Sequence, residues 1–286
     1  MKDISLKDLL EAGCHFGHQV NRWNPRAKSF IYSVRDGIHI IDLAKTKAAL
    51  EEACNFIIDT AANGGSIIFV GTKRQARGII KEEAQKAGAM YLVVRWLGGL
   101  LTNWTEIKKN LDKLKKMRDE KEKDQWNKFT KKEQLLKGKE LDKLEGLYAG
   151  IADLTELPAA LVLVDIRKEE SAVSEALKTG VKTVAIVDTN TNPDLVDYPI
   201  PANDDATGSI KLIASYLADA YLEGKSEFEK KEEKVPARNA SHSDAGGEQV
   251  EKTEEKGKIK TKKVKAQKSK VKTKTTTKKS NVALSS

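Results

Sequence analysis

"SIIFVGTKRQARGIIKEEAQKAGAMYLVV" (residues 66–94) decides the fold. Its first part, "SIIFVG" (66–71), is continuously apolar, the pattern of a strand buried on both faces of a parallel sheet. "TKRQARGIIKEEAQKAG" (72–88) predicts a helix that ends at a glycine, and "MYLVV" (90–94) a second strand. Strand, helix and strand at this spacing form a βαβ unit. The alternation returns further on. "AALVLVDI" (159–166) reads as a strand, "KEESAVSEALKTG" (168–180) as a helix and "TVAIVD" (183–188) as a strand. A loop with Pro193, Pro199 and Pro201 then leads to a helix, "DATGSIKLIASYLADAYLEG" (205–224). The predicted class is α/β, a parallel sheet with helices on both faces.

Upstream, "SLKDLLEAG" (5–13) predicts a short helix with Ser5 as N-cap, and "CHFGHQVNRWNPR" (14–26) a loop. "SFIYSVRDGIHIID" (29–42) has two β-rich runs around Asp36-Gly37, a hairpin signal. Leu50, Ala53, Cys54, Ile57 and Ile58 recur at helical spacing within 43–62, and Gly64-Gly65 ends that run. Residues 105–153 interrupt the alternation. They are rich in Lys, Glu and Leu, with apolar positions at Ile107, Leu111 and Leu114 and again at Leu141, Leu144, Leu147 and Ile151. Thr130 and Glu133 fit a capping box. Two helices folded back as an antiparallel hairpin account for this segment, sharing a thin apolar seam and projecting from the sheet. The expected organisation is an α/β domain over 1–104 and 154–224, a helical insertion over 105–153 and a disordered lysine-rich tail over 225–286.

Charge location matters more than the net charge of +9. Residues 225–286 hold 18 Lys and Arg against 9 Asp and Glu, so the whole excess lies in the tail and the body is neutral. Nucleic-acid binding by the body therefore needs local clustering of cations. Two cysteines give no disulfide framework. The start has no apolar signal region and no run reaches the length of a membrane span, so a cytoplasmic protein without membrane contact is expected.

Catalytic motifs are missing. "VGTKRQARG" succeeds a strand and opens a helix, where doubly wound folds bind phosphate, but it is neither G-x-G-x-x-G nor a P-loop. Thr72, Lys73, Arg74 and Arg77 suit a phosphate, whether of a small molecule or of an RNA backbone. Cys14, His15 and His18 offer metal ligands, but no partner cluster is visible, so no metal is expected. Asp165 and Asp188 end strands and are expected to cap the next helix or turn. Three basic clusters fall on loops: "NRWNPRAK" (21–28), "GTKRQAR" (71–77) and "RWLGGLLTNW" (95–104). Arg and Lys neutralise phosphates, Asn and Thr bond sugar and phosphate, and Trp stacks on unpaired bases. Trp96 and Trp104 are expected to pack where hairpin meets sheet, with Gly98-Gly99 turning the chain; Trp23, beside Pro25, suits either packing or stacking.

"LLEAGCHFGHQVNRWNPR", "FVGTKRQA", "RWLGGLLTNW", "LTELPAALVLVDIRKEESAVSEAL" and "AIVDTNTNPDLVDYPIPANDDA" closely resemble the family of the second protein of the bacterial small ribosomal subunit, over residues 6–224. One departure is Gly180-Val181-Lys182, where the family usually has Gly-Ile-Pro. The resemblance implies a flavodoxin-like α/β sandwich with a coiled-coil hairpin and a non-enzymatic role without cofactor or small-molecule substrate. It further implies binding to 16S-type small-subunit rRNA and docking of the large RNA-binding protein one of the same subunit. The expected rRNA contacts are Arg22, Trp23, Asn24, Lys28, Thr72, Lys73, Arg74, Arg77, Arg95, Thr102 and Asn103. The rivals are a phosphate-ligand-binding enzyme using Thr72 and Lys73, and a scaffold that binds only proteins. The tail would follow RNA or neighbouring proteins, or stay solvated.

Overall fold

The computed structural model describes residues 4–234. Helix α1 (Leu6–Glu11) starts at Ser5, whose hydroxyl accepts from Lys7 N–H at 3.2 Å. The segment expected as a loop contains a strand, β1 (Phe16–Gln19). Sequence alone hides it because it is four residues long and lacks alternation. Its Gly17 lies so close to Thr189 that a Cβ would sit 2.7 Å from that side chain. The predicted hairpin is β2 (Ile31–Arg35) and β3 (Ile38–Ile41), turning at Asp36 and Gly37, both with positive φ. β1 pairs antiparallel with β3, giving a three-stranded sheet in the order β1-β3-β2. Helix α2 (Leu43–Ala62) comes next, its first turn capped by Asp42.

The second sheet holds the alternation. In chain order come β4 (Ile67–Val70), α3 (Arg77–Lys86) and β5 (Met90–Leu92), then α4 (Trp104–Glu122) and α5 (Lys131–Tyr148). After them come β6 (Ala160–Val164), α6 (Glu170–Thr179), β7 (Lys182–Val187), β8 (Tyr198–Pro201) and α7 (Thr207–Lys234). The strands are all parallel in the order β5-β4-β6-β7-β8. The prolines of β8 point to a loop, yet it is an edge strand, where a proline without N–H is tolerated. Pro199 and Pro201 alternate with Tyr198, Ile200 and Ala202, and Ala202 N–H donates to Val187 O at 3.1 Å.

Side-chain alternation divides the core in two. Ile67, Phe69, Val162, Val164, Val184 and Ile186 join α2, α3 and α7 on one face. Ile68, Val70, Leu161, Leu163, Ala185 and Val187 join α6 on the other, and Ile107, Leu111, Leu114 and Leu141 of α4 and α5 belong to that same cluster. The helical hairpin's seam is thus continuous with a sheet face. α4 and α5 are also tied by ion pairs Lys113–Glu140, Arg118–Glu145 and Lys137–Glu120. The capping box of Thr130 and Glu133 opens α5.

Two predicted boundaries move. α3 begins at Arg77 rather than Thr72, since Thr72 is engaged elsewhere. α7 runs past Gly224 to Lys234, so residues 225–234 are helix and not disordered tail. Gly224 is a contact point and not a stop: a Cβ there would lie 2.5 Å from Ile58 O on α2. Beyond it, Phe228 packs over Gly64, and Lys231 donates to Ala62 O. The rest of the expected tail, 235–286, lies outside the described residues. No helix among the described residues is long and apolar enough to cross a membrane.

Candidate nucleic-acid interface

The parallel sheet brings the segments after β4, β6, β7 and β8 to one edge, where the protein's polar chemistry collects. The strand β1 and the turn after it are fixed there. His18 N–H donates to Thr189 Oγ1 at 2.9 Å, and Asn24 N–H donates to Thr189 O at 2.7 Å.

Lys73 occupies the centre. Its ammonium lies 2.6 Å from Asp205, 2.8 Å from Asp204 and 3.3 Å from Asp165, and its side chain is 13% exposed. Burial works against the charge, but hydrogen bonds to Asp204 and Asp205 hold its pKa above the ordinary lysine value. Its neighbour Thr72 spends both N–H and hydroxyl on Glu169, at 3.0 and 2.5 Å. Burial raises the Glu169 carboxyl, with the Thr72 bonds opposing. The cradle expected for a phosphate is therefore filled by the protein's own carboxylates.

His18 Nδ1 lies 3.0 Å from Asp188, and Asn190 Nδ2 lies 3.0 Å from its Nε2. The hydrogen bond to Asp188 raises the His18 pKa, with burial opposing. Burial, with Asp165 and Asp188 beside it, pushes Asp204 up to about 7, and Asp204 Oδ2 has no partner among the described residues. His18, Asp188 and Asp204 each present a ligand atom within 4.8 Å of the others. One imidazole and two carboxylates suit a divalent cation such as Zn²⁺. Of the three metal-ligand candidates read from sequence, His18 alone joins this cluster. Cys14 is buried in the core and its thiol pKa is pushed up by burial, while the His15 ring packs tilted against Phe16. Sequence reasoning misses Asp188 and Asp204 as ligands because nothing in their spacing points to His18, more than 160 residues away. Asp165 caps as expected, accepting from Arg167 and Lys168 N–H at 3.1 Å.

"RWLGGLLTNW" is built around a residue that sequence reasoning passes over. The Glu175 carboxylate of α6 accepts from Trp96 Nε1 at 3.0 Å, Gly99 N at 2.8 Å, Leu101 N at 3.1 Å and Thr102 N at 3.3 Å. Thr102 Oγ1 donates to it as well. Burial alone would raise this carboxyl, but these donors hold it below the ordinary range. Trp96 and Trp104 pack against the second core, as expected. Only a long-range contact reveals Glu175; in sequence it is one polar residue on a helix.

The remaining predicted residues form a rim. Arg22 lines a cavity with His18, Asp188 and Asp205. The Arg77 guanidinium donates to Thr72 O at 2.8 Å and Val94 O at 3.3 Å, next to Arg95. Trp23 is half-buried with its ring centroid 5.3 Å from that of His39, and Asn24 Oδ1 accepts from Arg26 N–H. Asn103 is exposed at the start of α4. Arg22, Lys28, Arg74 and Arg95 are exposed, and none has a carboxylate partner among the described residues.

An edge whose inner lysine is consumed by carboxylates while Arg22, Arg74 and Arg95 stay exposed is that of an α/β binding protein. Residues 9–224 match the family described as Ribosomal protein S2. The chain is 50% identical over 231 residues to "Small ribosomal subunit protein uS2" of Bdellovibrio bacteriovorus, covering 81% of this chain and 74% of that protein. It is 47% identical over 247 residues to the protein of the same name from Roseiflexus castenholzii, covering 86% and 94%. The uS2 of Coprothermobacter proteolyticus is 51% identical over 225 residues, covering 79% and 84%. The chain belongs to the ribosomal protein S2 family, whose members are ribosomal proteins and not enzymes.

Proposed function

We propose that this protein is a structural, RNA-binding constituent of the small ribosomal subunit in the cytoplasm, gripping rRNA with the arginine rim. The observation that carries the geometry is that Arg22, Lys28, Arg74 and Arg95 are exposed with no carboxylate partner among the described residues, beside an acidic centre that consumes Lys73. Trp23, Asn24, Arg77, Thr102 and Asn103 support the rim; Thr72 and Lys73 hold its floor instead of touching phosphate. The strand order, which runs 2-1-3-4-5 within the parallel sheet, supports the flavodoxin-like reading. The paired helices α4 and α5 support a coiled-coil insertion in an otherwise single α/β domain. Reversing Arg22, Arg74 and Arg95 to Glu together tests the rim. The expected result is weaker rRNA binding, with the log–log salt slope shallower by about 0.7–0.9 for each phosphate no longer neutralised. An unchanged slope removes these residues from the interface.

For the large RNA-binding protein one of the subunit, a different face offers the dock. A cavity of about 470 Å³ between α1 and the small sheet is lined by Leu6, Leu10, His15, Tyr32, Ile40 and Leu43. Tyr32 is 77% exposed, and Phe16 and Val34 are exposed on the same sheet. Such an apolar face suits a protein partner better than a phosphate backbone. Tyr32→Glu is expected to release protein one from reconstituted subunits in a sedimentation assay while rRNA binding persists. Retention of protein one at wild-type level would move its dock off this face.

A further inference from the structure

The rim explains how a phosphate backbone is held, but it leaves a third cavity unused. This one, about 270 Å³, lies between the segments after β6 and β7. Ile166 and Leu195 supply apolar walls, Asn24, Asn190 and Asn192 supply amides, and Arg167 and Glu170 supply charge. It is smaller than the roughly 300–1,000 Å³ pockets that hold whole drug-sized ligands, so it suits one planar fragment.

We propose that this cavity receives a single unpaired rRNA base that carries an exocyclic amino group. The inference rests on the RNA-binding reading above and adds a sequence-reading site to it. Recognition of RNA sequence works mainly on unstacked bases, which are held by stacking and by hydrogen bonds to their edges. The polar groups here are arranged for such an edge. Asn24 Oδ1 is tied to Arg26 N–H and Asn192 Oδ1 to Asp194 N–H, which leaves both Nδ2 groups to donate to base carbonyl or ring-nitrogen acceptors. The Glu170 carboxylate accepts from an amino group. Asn190 is anchored through Nδ2 to His18, and its buried Oδ1 has no partner among the described residues. The Arg167 guanidinium has no partner among the described residues, and its plane can cover a base. Glu170 repels a phosphate, so the same lining that welcomes a neutral base disfavours the backbone. Phosphates on either side of the inserted nucleotide meet the exposed cations Arg167 and Lys168.

The test is chemical probing of base edges, with dimethyl sulfate and kethoxal, on small-subunit rRNA bound to the full-length protein. One base that is reactive in free rRNA becomes protected. Leu195→Trp fills the cavity from a position that is 40% exposed. It restores that base's reactivity and weakens binding about tenfold, the scale of one stacked base. Arg167→Ala, which removes no core atom, gives the same pattern and guards against misfolding of the first variant. Leu222→Trp, the same exchange at an exposed leucine on α7, leaves the protection intact. Changing the protected nucleotide to uridine, which lacks the amino donor, also weakens binding about tenfold. If both cavity variants bind rRNA with every base protection unchanged, the cavity holds no base. If the wild-type protein fails to bind rRNA at all, the function proposed above fails instead.

Discussion

Glu175→Ala is expected to unfold the loop that joins the sheet to the helical hairpin and to lower stability by more than about 3 kcal/mol. The substitution leaves the Trp96 indole N–H and three backbone N–H groups without their acceptor, in a setting where Glu175 itself is 9% exposed. Each buried donor left unpaired costs about 1–3 kcal/mol. Urea denaturation measures the loss. Trp96 fluorescence should shift toward that of an exposed indole. Glu175→Gln separates charge from shape. It keeps one acceptor oxygen but places an NH₂ group against donors. The pH dependence comes from the lowered carboxyl pKa. A depressed folded value means that the ionised form contributes stability fully above the ordinary value of 4.5. That contribution disappears as the pH falls through the folded value. The gap between wild type and Glu175→Gln should therefore be wide at neutral pH and close in acid. A gap independent of pH would show that the charge contributes nothing.

Lys73→Met is expected to cost about 3–5 kcal/mol, the scale for removing one partner of a buried ion pair. Methionine keeps the stem but leaves Asp204, 0% exposed, and Asp165 facing each other without a cation. Thermal unfolding should show the loss. Arg74→Glu is expected to leave the melting temperature nearly unchanged and to weaken rRNA binding, since Arg74 is exposed and has no carboxylate partner among the described residues. The two adjacent cations thus fail differently. A Lys73→Met protein that melts like wild type would return Lys73 to the set of phosphate-binding cations.

The contrast between Lys73 and Arg74 marks the limit of sequence reading. Both sit in "GTKRQAR", and nothing local distinguishes them. Lys73 is withdrawn by Asp204 and Asp205, about 130 residues later, which the sheet carries to the same edge. The tryptophans of 95–104 are readable as packing residues, but the reason for the loop's shape, Glu175, lies some 75 residues away. β8 is illegible because its prolines argue against a strand, and only its place at the sheet edge makes them harmless. Gly224 resembles a helix stop, and only the approach of α2 shows that it is a space requirement.

Sequence by itself determined the βαβ alternation, the two helices α4 and α5, the capping residues Ser5, Thr130 and Asp165, and the family. These depend on periodicity and neighbour chemistry, which are properties of short stretches. The tertiary structure alone decided which charges are spent inside the protein and which stay exposed, that His18 meets Asp188 and Asp204, and that Glu175 organises the tryptophan loop. Such pairings join residues far apart in the chain, and a charge acquires a role only when folding fixes what stands within a few ångströms of it.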